Sequence, residues 1–301
     1  MGTEFVSSCK SFNKGKQMLN ITQARDEIVG KLRDFVNRYG GKCCLGSSGG
    51  IDSAVVISLA CDAVGPENVW GFRMPSPNND PQDEIDALEL HKALGCNDVY
   101  LPLFDYRMVS TWVNSHVRKA VEGCTWKMDL LGPYQSVADE NLQARMRAVM
   151  LMHFSNAYGG PLLLGTDNKV ESYLGYFTLY GDSCGAIRPI GGLYKGEVYS
   201  VANLYPIPEG IRTSAPSAGL FKGQTDEEAL LPYPILDKIV EAWSEHNISV
   251  WESFTDWTAR DAAGNPLPMS FGQEDYDRIT GMILKNKFKD EQCPPVIEVT
   301  R

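Results

Sequence analysis

The sequence predicts an α/β protein built on a doubly wound parallel sheet flanked by helices. Three observations carry this. Short apolar runs of strand length recur at 42–45, 69–74, 99–103 and 161–164. Stretches with helical spacing of apolar residues separate them. The octapeptide Gly46-Ser47-Ser48-Gly49-Gly50-Ile51-Asp52-Ser53 stands between the first run and a helix, where such a sheet binds ligands.

The elements follow in order. Ile21, Ile28, Leu32, Phe35 and Val36 fall on one helical stripe over 21–39, ended by Gly40 and Gly41. Lys42 to Leu45 is the first strand. Ala54 to Val64 is apolar all round and reads as a buried helix stopped by Gly65. Val69 to Met74 is the second strand, Gln82 to Leu94 a helix with Gly95 just beyond it, and Val99 to Leu103 the third strand. Strand, helix, strand, helix, strand at this spacing predicts parallel pairing through crossover helices. Further on, 140–157 is a long helix and 161–164 a buried strand; 195–204, 234–245 and 275–287 are helical. The turn-rich segments 123–137 and 206–228 read as binding loops. Residues 246–275, with Trp251 and Trp257, read as an insertion without an assigned role.

The chain has 301 residues, 43% hydrophobic and 22% charged, the composition of an ordinary globular protein. Its net charge is −10. No basic stripe is present, so nucleic acid is not an expected partner. No apolar run approaches the roughly 18 residues a bilayer needs, and no signal-peptide core precedes residue 20. Eight cysteines form no C-x-x-C and four histidines are scattered, so no zinc spacing exists. Cys43, Cys44 and Cys61 sit in apolar stretches as small core residues, and a reducing cytoplasmic setting is expected. We expect a single domain over 20–301 and an N-terminal extension over 1–19, its first residues introduced by cloning.

The octapeptide admits two readings. Glycines let the backbone approach an anion, and the helix behind them offers free N–H groups and a positive dipole end. Ser48 and Ser53 add hydroxyl donors. The plainer alternative is a serine-rich helix cap after a glycine turn. Asp52 opposes a phosphate unless it holds Mg²⁺, which would bridge the two. The loop is neither a Walker A sequence nor a G-x-G-x-x-G.

S-G-G-x-D-S after a strand resembles the pyrophosphate loop of the N-type ATP pyrophosphatases, a Rossmann-like family that splits ATP between its α- and β-phosphates. Asn141-Leu142-Gln143-Ala144-Arg145-Met146-Arg147 resembles the N-[IL]-Q-A-R-x-R helix of the NAD synthetases within it. Leu164-Gly165-Thr166-Asp167-Asn168-Lys169-Val170-Glu171 resembles their L-G-T-x-N/H-x-x-E, and Phe177 to Asp182 their T-x-Y-G-D. Pro216-Ser217-Ala218 with Gly223 to Glu227 resembles P-[ST]-A…G-Q-T-D-E, and Lys287-Phe288-Lys289 before Pro294-Pro295 the closing F-K…P-P. Five motifs in family order, from about residue 25 to the end, are specific.

The resemblance implies amidation of deamido-NAD to NAD with ammonia. ATP adenylates the nicotinic carboxylate and pyrophosphate leaves; ammonia then displaces AMP. A carboxylate needs this activation because its own leaving group would be oxide. By resemblance, Gly46 to Ser53, Arg73, Thr166, Lys195 and Ser217 bind ATP, and Asp52 and Glu171 hold Mg²⁺. Arg145, Leu179, Asp182, Phe288 and Lys289 bind deamido-NAD. Lys195 and Asp182 are the catalytic candidates, the lysine for charge at the α-phosphorus and Asp182 as the base for ammonia. A homodimer is implied, with Val149, Met150, His153 and Phe154 as an apolar stripe of either interface or core.

Three positions depart from the family: Gly219 and Ala186 stand where many members have an acid, and Leu179 where ammonia-dependent members often have lysine. Ser47 stands where relatives often have an apolar residue. Glutamine-dependent relatives carry an added amidase domain with no counterpart before residue 20, so direct use of ammonia is expected, or supply from a separate amidotransferase. Two rivals remain: another ATP-pyrophosphatase ligase or tRNA-modifying enzyme, and a nucleotide-binding regulator that keeps the loop but not the chemistry. The absence of paired cysteines and of a basic RNA surface speaks against a tRNA thiolase.

Overall fold

Strand β1 (Cys43–Gly46) is the axis of the fold. It pairs in parallel with β2 (Val69–Arg73) on one side and with β4 (Leu162–Leu163) on the other. Strand β3 (Asn97–Tyr100) pairs in parallel with β2. The order is β3-β2-β1-β4. The computed structural model describes residues 19–77, 79–103, 105–121, 135–216, 226, 230–258 and 271–301, and all statements here concern those residues.

The alternation along β1 explains the layers. Cys43 and Leu45 face a core with Ile28, Leu32 and Val36 of α1 (Ile21–Arg38), Val56 and Leu59 of α2 (Ile51–Val64) and Leu90 of α3 (Pro81–Leu94). Cys44 faces the other way, onto Phe72, Leu163 and Leu151 of α5 (Gln135–Ala157). Strands covered by helices on both faces must be apolar on both, which is why KCCL and PLLL carry no polar alternation. Gly71 sits on the α2 side of β2, where a Cβ would strike the His91 ring and Ile57.

Chain order runs outward from β1 to β2 and β3, then returns through α4 (Tyr106–Val121) and α5 to β4 on the far side of β1. The direction of winding reverses at β1, so the loop after β1 lies at the switch point of the sheet. The predicted doubly wound α/β class is what the chain adopts.

The helices expected at 21–39, 82–94, 234–245 and 275–287 form with small shifts of their ends. Four elements differ from expectation. The third strand was expected at 99–103 and lies at 97–100, because Asn97 donates to Glu67 O and Val69 O, both at 3.0 Å, and anchors the start. Leu101 and Leu103 still donate to Arg73 O and Pro75 O, but Pro102 breaks the ladder. Helix α5 begins at Gln135, so 135–137 is not turn; 122–134 lie outside the described residues. Helix α4 had no sequence counterpart, and a short helix, Glu209–Thr213, forms inside 206–228, which was expected to be a loop.

A second core stands beyond the sheet. It joins α6 (Lys169–Leu174), α9 (Tyr233–His246), α10 (Trp251–Thr258) and α11 (Gln273–Asp290) through Leu174, Leu236, Phe254, Tyr276 and Ile279. Trp251 packs at 5.5 Å from the Tyr276 ring and 5.8 Å from Phe271, so part of the unassigned 246–275 stretch is structural. Helices α7 (Lys195–Ala202) and α8 (Glu209–Thr213) pack on the sheet-side core through Val198, Val201 and Ile211. The apolar stripe of α5 divides: Phe154 packs edge-on to Phe72 at 4.7 Å and Met150 joins Leu103 and Met146, while Val149 is 65% exposed.

Candidate active site

Strand β1 ends at Gly46, and Ser47, buried, still donates to Phe72 O at 2.8 Å. The chain then turns at Gly49, whose φ of +84° is open to glycine. A Cβ there would strike the Asp83 backbone oxygen, so α3 seats directly on the loop. Gly50 is the N-cap of α2 and makes no side-chain cap. Ser48 N donates to Ser53 Oγ at 3.2 Å, the two hydroxyls lie 3.1 Å apart, and Ser53 Oγ donates to Gly50 O at 3.0 Å. The serines therefore brace the loop instead of capping the helix. The first N–H groups of α2 have no side-chain cap, which is the arrangement that binds anions. Of the two readings of the octapeptide, the geometry fits the cradle.

Three helix starts converge beside this loop. Asp52 lies in the first turn of α2, Glu171 in the first turn of α6, and Lys195 opens α7. Asn168 caps α6 and ties it to α2. It accepts from Val170 N and Glu171 N at 2.9 and 3.1 Å, and donates from Nδ2 to Asp52 Oδ1 at 3.0 Å. Asp237 of α9 accepts from Lys195 N and Gly196 N at 3.1 and 2.9 Å, fixing the start of α7. Lys195, 2% exposed, donates to Asp52 Oδ2 and to Glu171 Oε1, the latter at 3.3 Å. Its ammonium lies 4.6 Å over the Tyr233 ring. The Tyr233 hydroxyl donates to Asp226 Oδ2 at 2.8 Å and reaches Glu171 Oε1 at 3.4 Å.

The electrostatics follow from burial. Glu171 is pushed up to about 8, first by burial and then by the Asp52 charge. Burial opposes the charge on Lys195, but Asp52 and Glu171 outweigh it and hold the amine above its ordinary value. Burial also raises Asp226, and the Asp52 charge adds to it. One ammonium thus faces a surplus of carboxyl groups, all oxygen donors, a set that suits a hard divalent cation.

One cavity of about 550 Å³ joins this cluster to a second wall. It is lined by all eight residues Gly46 to Ser53 and by Arg73, Thr166, Asp167, Glu171 and Lys195, and continues along Arg147, Asp182 and Lys289. Asp182 accepts from Thr178 N at 2.9 Å. It stands open on the wall, yet the walls displace enough water to raise its carboxyl above the ordinary range. Lys289 donates to Gly175 O and Phe177 O at 2.8 and 3.1 Å. Burial lowers its amine.

The sequence candidates are thus brought together in large part. Arg73 lines the cavity, but its guanidinium is held in a bidentate pair by Asp98, at 2.7 and 2.8 Å, and by Glu84 at 3.0 Å. Arg145, Leu179 and Phe288 lie off the cavity wall. Arg145 is exposed and donates to Leu179 O at 3.2 Å; Phe288 is 53% exposed. Arg147 takes the place on the wall instead, donating to Met74 O at 3.0 Å and Asn79 Oδ1 at 3.1 Å. Ser217 and Gly219 lie outside the described residues. Sequence reasoning gave no role to Asp167, Asp226 or Tyr233. The first two sit inside the quoted motifs; Tyr233 gave no signal beyond an apolar helix start.

A family model described as NAD synthase matches residues 25–293. The NH(3)-dependent NAD(+) synthetase of Methanococcoides burtonii is 38% identical over 226 residues, 74% of this chain and 80% of that protein. The glutamine-dependent NAD(+) synthetase of Aquifex aeolicus is 40% identical over 270 residues, 87% of this chain. The chain spans less than half of such glutamine-dependent relatives, 43% of the Aquifex protein and 44% of that of Thermotoga maritima. Among solved structures, an NMN synthetase from Francisella tularensis superposes with a TM-score of 0.62 at 29% identity, covering 84% of this chain and 100% of that one.

Proposed function

The chain belongs to the NAD synthase family, and from that premise we propose that it amidates deamido-NAD to NAD with ammonia and ATP. The observation that carries the reading is the single cavity, with the phosphate loop and Lys195 on one wall and Asp182 on the other. Adenylation and amide formation need both walls in one space.

In the first step a carboxylate oxygen of the nicotinate attacks the α-phosphorus of ATP. The new P–O bond forms as the bond to the β-phosphate breaks, and pyrophosphate leaves. We assign the pyrophosphate to Gly46–Ser53 and the α2 N-terminus. The Lys195 ammonium offsets the charge that builds on the pentacovalent phosphorus. Thr166, Ser217 and Arg73 complete the ATP contacts. In the second step ammonia attacks the acyl carbon, a C–N bond forms, the C–O bond to AMP breaks, and AMP leaves. Asp182 takes a proton from the nitrogen. On the cavity wall Lys289 and Arg147 are assigned to deamido-NAD; Arg145, Leu179 and Phe288, expected there, lie off that wall.

The donor set fits Mg²⁺: two oxygen ligands, Asp52 and Glu171, share one ammonium, and Asp226 adds a further carboxyl near them. Held there, Mg²⁺ would supply the neutralisation that lets one polyanion meet another. A homodimer belongs to the reading. Met108, Trp112 and Val149 on α4 and α5, 70%, 62% and 65% exposed, offer the apolar surface for it. We assign the protein to the cytoplasm; no helix among the described residues is long and apolar enough to cross a membrane.

Product analysis tests the reading. ATP, Mg²⁺, deamido-NAD and ammonium are expected to yield NAD, AMP and pyrophosphate. ADP as product would remove the class assignment, and ATP binding without turnover would favour the regulator. The likeness to an NMN synthetase makes deamido-NMN the control substrate, and a higher kcat/KM with it would transfer the reading to the mononucleotide.

A further inference from the structure

Glu245, near the end of α9, gathers three donors onto one carboxylate oxygen. Its Oε1 accepts from the Tyr194 hydroxyl at 2.6 Å and from Lys169 Nζ at 3.1 Å, and pairs with Arg301 Nε at 3.3 Å. Both cations also lie over the Tyr194 ring, at 4.5 and 4.6 Å from its centroid. Lys169 Nζ reaches the Tyr194 hydroxyl as well, at 3.0 Å. Arg301 Nη2 donates to Glu197 Oε2 and to Gly192 O, both at 2.9 Å, and the same Glu197 oxygen accepts from Tyr194 N at 2.9 Å.

The network stands behind the catalytic cluster. Tyr194 directly precedes Lys195, and Lys169 lies two residues before Glu171. Lys169 N donates to Leu193 O at 2.9 Å, so the starts of α6 and α7 are also joined through the main chain. Asp237, two turns before Glu245 on α9, holds Lys195 N and Gly196 N. One helix thus grips the back of both helix starts, and their front carries Glu171 and Lys195. None of Glu245, Lys169, Tyr194 and Arg301 lines the cavity. Whatever Glu245 does for the chemistry, it does through the residues it holds.

Ion pairs that are partly buried add little net stability, because desolvation offsets their attraction. Geometry is a different matter. A misplacement of about 1 Å far from the reacting atoms can cost a hundredfold in rate. A phenol, an ammonium and a guanidinium drawn to one oxygen leave the two helix starts little freedom to slide past each other. Burial, and after it the bond to Glu245, hold the Tyr194 phenol above its ordinary range, so it stays a donor.

We propose that Glu245 is a positioning residue for adenylation: through Tyr194 and Lys169 it sets where Lys195 and Glu171 stand relative to each other on the cavity wall. Arg301 closes the network from outside by tying Glu245 to Glu197 of α7. The inference rests on the reading of the cavity as the adenylation site and adds to it a residue that no substrate touches.

Exchange of labelled pyrophosphate into ATP, dependent on deamido-NAD, reports adenylation and needs no ammonia. Glu245→Gln keeps the shape and removes the charge. Its maximal exchange rate is expected to fall about tenfold, while the ATP Kd, read by isothermal titration, stays at the wild-type value. A stabilising role alone would lower the melting temperature and leave the rate of the folded enzyme unmoved; that result overturns the inference, as does an ATP Kd that weakens while the rate holds. Tyr194→Phe removes only the hydroxyl and is expected to lose about threefold in rate. The double variant is expected to lose less than the product of the two single losses, because both break one link. Fully multiplicative losses overturn the inference. If Glu245→Gln fails to fold, Tyr194→Phe decides alone: a slower exchange with an unchanged ATP Kd supports the positioning role, and a wild-type rate overturns it. A wild type without deamido-NAD-dependent exchange instead removes the adenylation reading itself.

Discussion

Lys195 and Asp52 stand 143 residues apart in the chain and share one hydrogen bond at the wall of the cavity. Glu171 holds the same ammonium from the other side at 3.3 Å. The cluster keeps Lys195 charged although it is buried, because two carboxylates replace the water it has lost. Asp52→Asn is therefore expected to lower pyrophosphate exchange about 10²–10³-fold, the scale for losing one group that serves a developing charge. The fold should survive, since Glu171 still pairs the lysine. Exchange assays beside thermal melting check both halves, and full exchange in the variant would remove Asp52 from the site.

Tyr233 offers Lys195 two things, a ring face at 4.6 Å and, through its hydroxyl, a link from Asp226 to Glu171. Substitutions separate them. Tyr233→Phe keeps the ring and loses the link; Tyr233→Leu loses both. A desolvated cation–π contact contributes about 2 kcal/mol. Tyr233→Leu is thus expected to lose roughly ten- to thirtyfold more kcat than Tyr233→Phe. Equal losses in the two variants would show that the ring face contributes nothing to Lys195.

The sheet and its loop were legible because their signals are local. KCCL before GSSGGIDS and AVVISLACDAV after it fix a strand, a turn and a buried helix without outside help. Lys195 was legible only through the order of motifs. The face of α5 was not. Arg145 and Arg147 are about 200° apart on a helix, so only one can line the cavity, and α5 carries apolar residues on both sides. Ala144, Met146, Ala148 and Leu151 are buried while Val149 and Met152 are exposed, and no periodicity argument separates those sets. Arg73 was open between an ion pair and a phosphate contact for a similar reason: Asp98 and Glu84 come from β3 and α3, and only the fold brings them to it. Tyr233 reads as an ordinary core residue, and most of its ring is just that.

The loop glycines are not equivalent. Gly49 has φ +84° and no room for a Cβ beside the Asp83 backbone, whereas a Cβ on Gly50 would meet only Ser48 Oγ at 3.3 Å. Gly49→Ala must take both the left-handed conformation and a shift of α3, a cost above the roughly 1 kcal/mol of the backbone conformation alone. We expect Gly49→Ala to raise the ATP Kd and lower the melting temperature, and Gly50→Ala to do so less. Isothermal titration with ATP and thermal melting of both variants check the order; equal effects would show that the α3 contact does not constrain the loop.

Asp237 gives a pH signature. Burial pushes its carboxyl up to about 6 from the ordinary 3.8 of a free aspartate, against the two N–H groups of α7 that pull it down. A carboxyl raised on folding binds its proton more tightly in the native state. Its stabilising contribution is whole below pH 3.8 and is lost as pH rises through about 6. Asp237→Asn cannot ionise and lacks this dependence. The melting temperature of the wild type, measured relative to that of the variant, is therefore expected to fall between about pH 4 and pH 6 and to level off above that window. A difference that stays flat across it would mean that Asp237 ionises in the folded protein as it does in the unfolded chain.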